Sequence, residues 1–146
     1  MRLKEKLKGT REVLNKIIEK NGEENKGVPI IVEGKKDVKA LRSLGAEGKI
    51  IRIKRLKTVF HVIEDLRKKY DEVIILTDWD SSGSKLYHKV KKACRANSIS
   101  NDERLRKELI KYVRSEIKDV ESLPKFIQRA ERIVSNPYKA RNEKRR

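Results

Sequence analysis

The sequence predicts an α/β fold: a mostly parallel sheet of about four strands between helices, with extra helices at the N- and C-terminal ends. Three observations predict it. Short β-branched runs alternate with segments of helical periodicity, and the connections between the runs are too long for hairpins. The runs are also continuously apolar, as strands covered on both faces are.

The elements follow in order. "LKEKLKGTREVLNKIIEK" places apolar residues at Leu3, Leu7, Val13, Leu14, Ile17 and Ile18, and Gly9-Thr10 is a candidate break or cap within this helix. "NGEENKG" is a polar, glycine-bearing loop, and "VPIIVEG" is the first strand. "KKDVKALRSLG" is a helix with Val38, Leu41 and Leu44 inward and Gly45 as its stop. "KIIRI" is the second strand, followed by the helix "TVFHVIEDLRKKY", which Thr58 is placed to cap. "EVIILTD" is the third strand and "SKLYHKVKKACRAN" the helix after it, while "SIS" offers one isoleucine to a short fourth strand. "DERLRKELIKYVRSEI" and "DVESLPKFIQRAERIV" are two further helices. The last begins near Ser122, which puts Pro124 in the first turn. The resulting organisation is an N-terminal helix and loop (1–27), an α/β domain (28–100), C-terminal helices packed on it (101–136) and a basic tail (137–146).

The chain's 146 residues suffice for one domain with a modest core. Lys and Arg number 39 against 22 acidic residues, a formal charge of +17, and such an excess attracts polyanions, nucleic acid foremost. No apolar run approaches the roughly 18–20 residues that cross a bilayer, and "MRLKEKLKGTREVL" has no signal-peptide block. A cytoplasmic protein without a membrane partner is expected. Cys94 has no cysteine with which to pair, and reads as a small helix residue. The abundance of Lys, Arg and Glu suits a heat-adapted source.

Within this basic chain, acids stand at the strand ends. Glu33 follows the first strand and Asp78 the third, with Asp80 two residues beyond. In a doubly wound sheet, ligands gather at the carboxyl ends of strands where the order reverses, so the common 2-1-3 order would set Glu33 opposite Asp78. Residues two apart in an extended segment point the same way, which would add Asp80 to the cluster and turn Trp79 aside. Three converging carboxylates repel one another, and a divalent cation removes the conflict. Hard oxygen ligands suit Mg²⁺, and two ions bridged by Asp78 would sit about 3.5–4 Å apart, as in two-metal phosphoryl transfer. Gly34 would allow close approach of a ligand, and Gly83 a tight turn. A cap from Ser81, Ser82 or Ser84 would leave a helix N-terminus suited to phosphate, with Lys35, Lys36 and Lys85 nearby. The competing reading is that an Asp followed by Ser-Ser-Gly is only a turn and helix cap.

"IIVEGKKD" and "IILTDWDSSG" resemble the Toprim domain. That module is shared by type IA and type II topoisomerases, bacterial-type primases, recombination-repair proteins and a ribonuclease maturing bacterial 5S ribosomal RNA. The resemblance covers about Val28 to Ser100, and the length and Lys/Arg-rich helical tail are similar to small stand-alone archaeal Toprim proteins. It implies a Toprim, Rossmann-like fold, with Asp78 and Asp80 as Mg²⁺ ligands. Glu33 would bind metal or act as the catalytic general acid or base. Asp37 matches an acid of the ribonuclease-like branch, or caps the helix that begins there. Two departures stand out. Type IA topoisomerases carry a further Glu after the motif glycine, where this chain has Ser84. The topoisomerase nucleophile lies in a separate domain, so Tyr70, Tyr87, Tyr112 and Tyr138 read as packing or surface residues. Primase would need zinc and helicase-binding parts. Neither topoisomerase nor full primase activity is expected.

His61 and His88 lack a metal-like partner at helical spacing and read as surface or packing residues. Arg52, Lys54, Arg55 and Lys57 follow the second strand, at the rim the acids would share, as nucleic-acid contacts or a solvated loop. Arg104, Arg106, Lys107, Lys111 and Arg114 read as a charged helix face interleaved with Glu103 and Glu108. With few aromatics for base stacking, backbone tracking and structured RNA are favoured over a single-strand platform, and RNA over DNA. The expected function is a Mg²⁺-dependent enzyme acting on nucleic-acid phosphodiesters, an RNA-processing nuclease. The alternatives are a non-catalytic RNA-, ribosome- or DNA-associated module that bridges phosphate through Mg²⁺, and a chain whose charge serves solubility alone.

Overall fold

The computed structural model describes residues 1–23, 27–55, 58–136 and 138. Lys57 of the expected rim, part of the "NGEENKG" loop and nearly all of the basic tail lie outside the described residues. Four parallel strands form one sheet: β1 (Ile30–Val32), β2 (Ile50–Arg52), β3 (Glu72–Ile75) and β4 (Ser100–Asn101), in the order β2-β1-β3-β4. Among the described residues, six helices surround it: α1 (Leu3–Asn21), α2 (Lys35–Ser43), α3 (Val59–Leu66), α4 (Ser81–Ala96), α5 (Glu103–Val113) and α6 (Leu123–Ser135). A 3₁₀ turn at Val120–Ser122 leads into α6. The fourth strand exists, two residues later than "SIS" suggests, because Ile99 is spent on the core and Ser100 N–H reaches Asp71 O.

The period-two geometry of the strands sorts their side chains to two faces. Ile30, Val32, Ile74 and Leu76 pack on one face with α1, α5, α6 and Leu41 of α2. Ile31, Val73 and Ile75 pack on the other with α3 and α4, including the fully buried Cys94. Every residue of β1 is buried, as its unbroken apolar run requires. Thus α1 and the two C-terminal helices are integral to one of the two cores.

Local chemistry bounds the helices. Gly45 ends α2 with φ at 106°, the left-handed conformation a helix stop favours. Pro124 falls in the first turn of α6, where no helical N–H is lost. Gly9 does not break α1: the helix runs through it, and a Cβ there would enter the ring of Tyr112 on α5. Glycine here serves close helix packing. Thr58 occupies the N-cap position of α3, but its hydroxyl donates back to Arg55 O at 2.8 Å and caps nothing. Among the described residues, no helix is long and apolar enough to cross a membrane.

Candidate metal and nucleic-acid site

The sheet order reverses between β1 and β3, and the parallel ladder there (Leu76 N–H to Ile31 O, 2.8 Å) brings their carboxyl ends side by side. Glu33 and Asp78 meet at that point. Glu33 Oε2 accepts the backbone N–H of Asp78 at 2.9 Å, and the two carboxyl groups interact directly. They open onto a cleft of about 530 Å³ lined by five acids (Glu33, Asp37, Asp78, Asp119 and Glu121), three lysines (Lys35, Lys36 and Lys54) and Gly34. A chain with a net charge of +17 therefore concentrates acid in this one cleft.

Backbone amides hold the acids in place. Asp37 Oδ2 accepts from Gly34 N at 3.0 Å, Asp78 Oδ1 from Val120 N at 3.0 Å, and Asp119 Oδ1 from Ser122 N at 3.0 Å. Each of these carboxylates spends one oxygen on an N–H and so has a fixed direction. Burial, reinforced by the Glu33 carboxyl, pushes Asp78 up to about 8, against the lowering effect of the Val120 amide. Burial likewise raises Asp37, with Glu33, Glu121 and Asp119 adding to it and the Gly34 amide opposing it. Clustered, desolvated carboxylates of this kind resist ionising together, and a cation at their free oxygens removes the penalty.

Asp80 is placed differently. Its carboxylate is exposed and caps α4, with Oδ1 accepting Gly83 N–H at 2.7 Å. The cap of α4 is therefore Asp80, and Ser81 is already helical. A hydrogen bond locks the loop below it from Thr77 Oγ1 to Gly83 O at 3.0 Å, and a Cβ on Gly83 would collide with the Asp78 backbone. Gly83 is thus required by close packing. At Gly34 the situation is reversed: an added Cβ would meet only Asp37 Oδ2, at 3.9 Å, so the fold itself does not demand glycine there.

Trp79 turns away from the cleft into the larger core, its Nε1 donating to Ile117 O at 2.8 Å while its N–H donates to Lys118 O. These bonds tether the segment after α5 to the Asp78 loop. Lys35, Lys36 and Lys54 face the cleft. Lys85, Arg52 and Arg55 are exposed outside its lining, and Ser84 sits half-buried in the first turn of α4.

Three contributors do not stand out as site residues in the sequence. Asp119 and Glu121 reach the cleft from the turn before α6. Arg106 is buried, not solvent-facing: its Nη2 donates to Asp78 O at 2.7 Å and its Nε to Thr77 O at 3.2 Å, over the Tyr87 ring at 4.4 Å. Burial lowers its pKa, while Tyr87, Asp78 and Glu33 oppose that shift. A signal is present in the spacing, since Arg106 shares with Leu109 and Val113 the i, i+3, i+7 stripe that α5 buries.

The donor set fits Mg²⁺. It is all hard oxygen, and this ion commonly takes one or two protein carboxylates and keeps waters that phosphate can replace. Among the described residues, no set of three His, Cys, Asp or Glu side chains is arranged to hold a metal ion; the convergent unit is the Glu33–Asp78 pair.

Comparison with known proteins decides the family. The Toprim domain profile matches residues 28–114. This chain belongs to the Toprim family. Its Toprim match continues through α5 and so takes in Arg106. A UPF0292 protein of Methanocaldococcus jannaschii is 39% identical over 120 residues, covering 81% of this chain and 92% of the relative. A UPF0292 protein of Methanosarcina barkeri is 33% identical over 126 residues, covering 86% of this chain and 85% of the relative. The archaeal relatives agree with the resemblance to small stand-alone Toprim proteins. A solved structure of a protein from Aquifex aeolicus superposes with a TM-score of 0.62 at 27% identity, over 76% of this chain and 94% of that one. Toprim membership implies a metal-binding function related to nucleic acid.

Proposed function

We propose that this Toprim chain acts on nucleic-acid phosphodiesters with Mg²⁺ held at Glu33 and Asp78, as an RNA-processing nuclease. The observation that carries the reading is the joined pair itself: two carboxylates from separate strands, linked by the Glu33–Asp78 N–H bond, in a cleft flanked by lysines. Asp80, whose Oδ1 is committed to Gly83, would serve as an outer ligand through its second oxygen. When bound, Mg²⁺ would neutralise the paired carboxylates and the phosphate oxygens beside them.

The chain's own groups supply the rest. Lys35, Lys36 and Lys54 orient the phosphate at the cleft wall, and Gly34 leaves the space for it to approach. Arg106 stays charged beneath Asp78 and fixes the loop that presents it. The test is cleavage of structured RNA, and of DNA of matched sequence, by the purified protein in Mg²⁺. Glu33→Gln and Asp78→Asn are each expected to lower the rate about 100-fold or more. Cleavage that survives both substitutions would overturn the mechanism.

A second reading is favoured by two observations. The Asp80 carboxylate is turned to a helix cap, and Ser84 stands where type IA topoisomerases carry an acid. On that reading the protein is a non-catalytic module that grips phosphate through Mg²⁺. It would bind RNA with steep salt dependence and turn over no substrate.

A further inference from the structure

A second groove, of about 500 Å³, lies between α2 and the start of α6. It shares Lys36 and Glu121 with the acid cleft, so the two adjoin. We propose that this groove is the path by which a nucleic-acid strand reaches the acid cleft, with Lys36, Lys39 and Lys125 as its phosphate contacts. The inference rests on the reading of the cleft as a nucleic-acid site, and adds the direction of approach.

Three features of the groove support it. Lys36, Lys39 and Lys125 are exposed, and among the described residues none of them forms an ion pair, a state they share with Lys89 and Lys92, so what sets them apart is their place along one groove. Against the three lysines stands one acid, Glu121. The floor is small and partly apolar: Ala40 and Ser43 on α2 face Ser122 and Pro124 at the head of α6. Such a floor receives ribose and base surface while lysines on either bank take the phosphates. On α2, positions 36, 39, 40 and 43 fall on one helical face, and the rise of about 1.5 Å per residue extends that face over about 10 Å.

The sequence alone points to phosphate or nucleic-acid contacts at Lys35, Lys36, Lys85, Arg52 and Arg55, of which Lys36 alone lines the groove. The groove's α6 wall falls beyond the Toprim match, which ends at residue 114, so this approach is built from the chain's own C-terminal segment.

The experiment is fluorescence anisotropy of a labelled RNA hairpin carrying a single-stranded extension of mixed sequence, across a salt series with Mg²⁺ present. The full chain is compared with Lys39→Ala/Lys125→Ala, the two lysines that line the groove and not the acid cleft, and with a control that removes equal charge elsewhere, Lys89→Ala/Lys92→Ala. Circular dichroism melts check that both variants fold. Losing two single-strand phosphate contacts is expected to flatten the slope of log affinity against log salt by about 1.4, while the control keeps the wild-type slope. If the wild-type chain binds and the groove variant matches the control, the groove is overturned and the reading of the acid cleft survives. If the wild-type chain binds no nucleic acid, that reading fails and the groove with it.

Discussion

Arg106 decides how the acids are held. A guanidinium under a strand-end loop could be an expensive burial, yet here it meets two carbonyls, an aromatic face and the field of two carboxylates. Arg106→Met would leave Asp78 O without that donor and remove the nearby positive charge from the acids. Urea denaturation is expected to show a loss of about 3 kcal/mol, with Arg106→Lys intermediate because lysine cannot span both carbonyls. A loss under about 0.5 kcal/mol, the range of ordinary surface substitutions, would show that the loop holds itself. In the sequence, Arg106 looks like one cation among five on a helix, and only its register with Leu109 and Val113 marks it as inward. Glu33 and Asp78 were legible for the opposite reason: Glu33 directly follows an apolar strand run and Asp78 follows another after Thr77, which fixes both at the carboxyl ends of strands, where sheets of this class bind ligands. Asp80 was legible as a further acid beyond the third strand, but its orientation was not: sequence supports both a ligand and a cap, and the short, direct bond to Gly83 shows the cap.

At the scale of elements, the pattern of β1 and β3 was readable because both are central strands, buried on two faces and rich in isoleucine and valine. β4 was poorly readable because two residues with polar side chains make a strand only through their ladder to β3. Helix contacts were less readable still. Glu116, after α5, binds Lys6 of α1 at 3.1 Å and Arg129 of α6 at 2.7 Å, joining three helices on the face behind the sheet. Burial alone would raise the Glu116 pKa, but the hydrogen bonds from Lys6 and Arg129 outweigh it and the net shift is downward. An acid lowered in the folded state stabilises fully above its unfolded value, about 4.3, and loses that contribution as pH falls through its folded value. Glu116→Gln is therefore expected to cost about 1 kcal/mol near neutrality, with the gap to wild type closing below about pH 4. Melting curves of both proteins from neutral to acid pH check this. A gap that widens in acid would reverse the assigned sign.

At the scale of the molecule, charge and fold divide the work. The surplus of lysine and arginine draws a polyanion toward the protein at long range, and the sheet's switch point gathers the acids that would act on it at short range. The cleft is a place where folding alone is poorly served, since Asp78 is raised to about 8 by burial and by its carboxyl neighbour. Strain of this kind is common where a site is shaped for a ligand. The sheet, its order and the acid pair were legible from strand patterning and spacing. The closing wall of Asp119, Glu121 and the head of α6 was not, because it depends on where the C-terminal helices pack. The most direct test of the central claim is an anomalous difference map from crystals soaked in Mn²⁺ as a visible substitute for Mg²⁺. A peak bound by both the Glu33 and Asp78 carboxylates is expected; a vacant cleft at saturating Mn²⁺, or a peak that leaves Glu33 untouched, would contradict it.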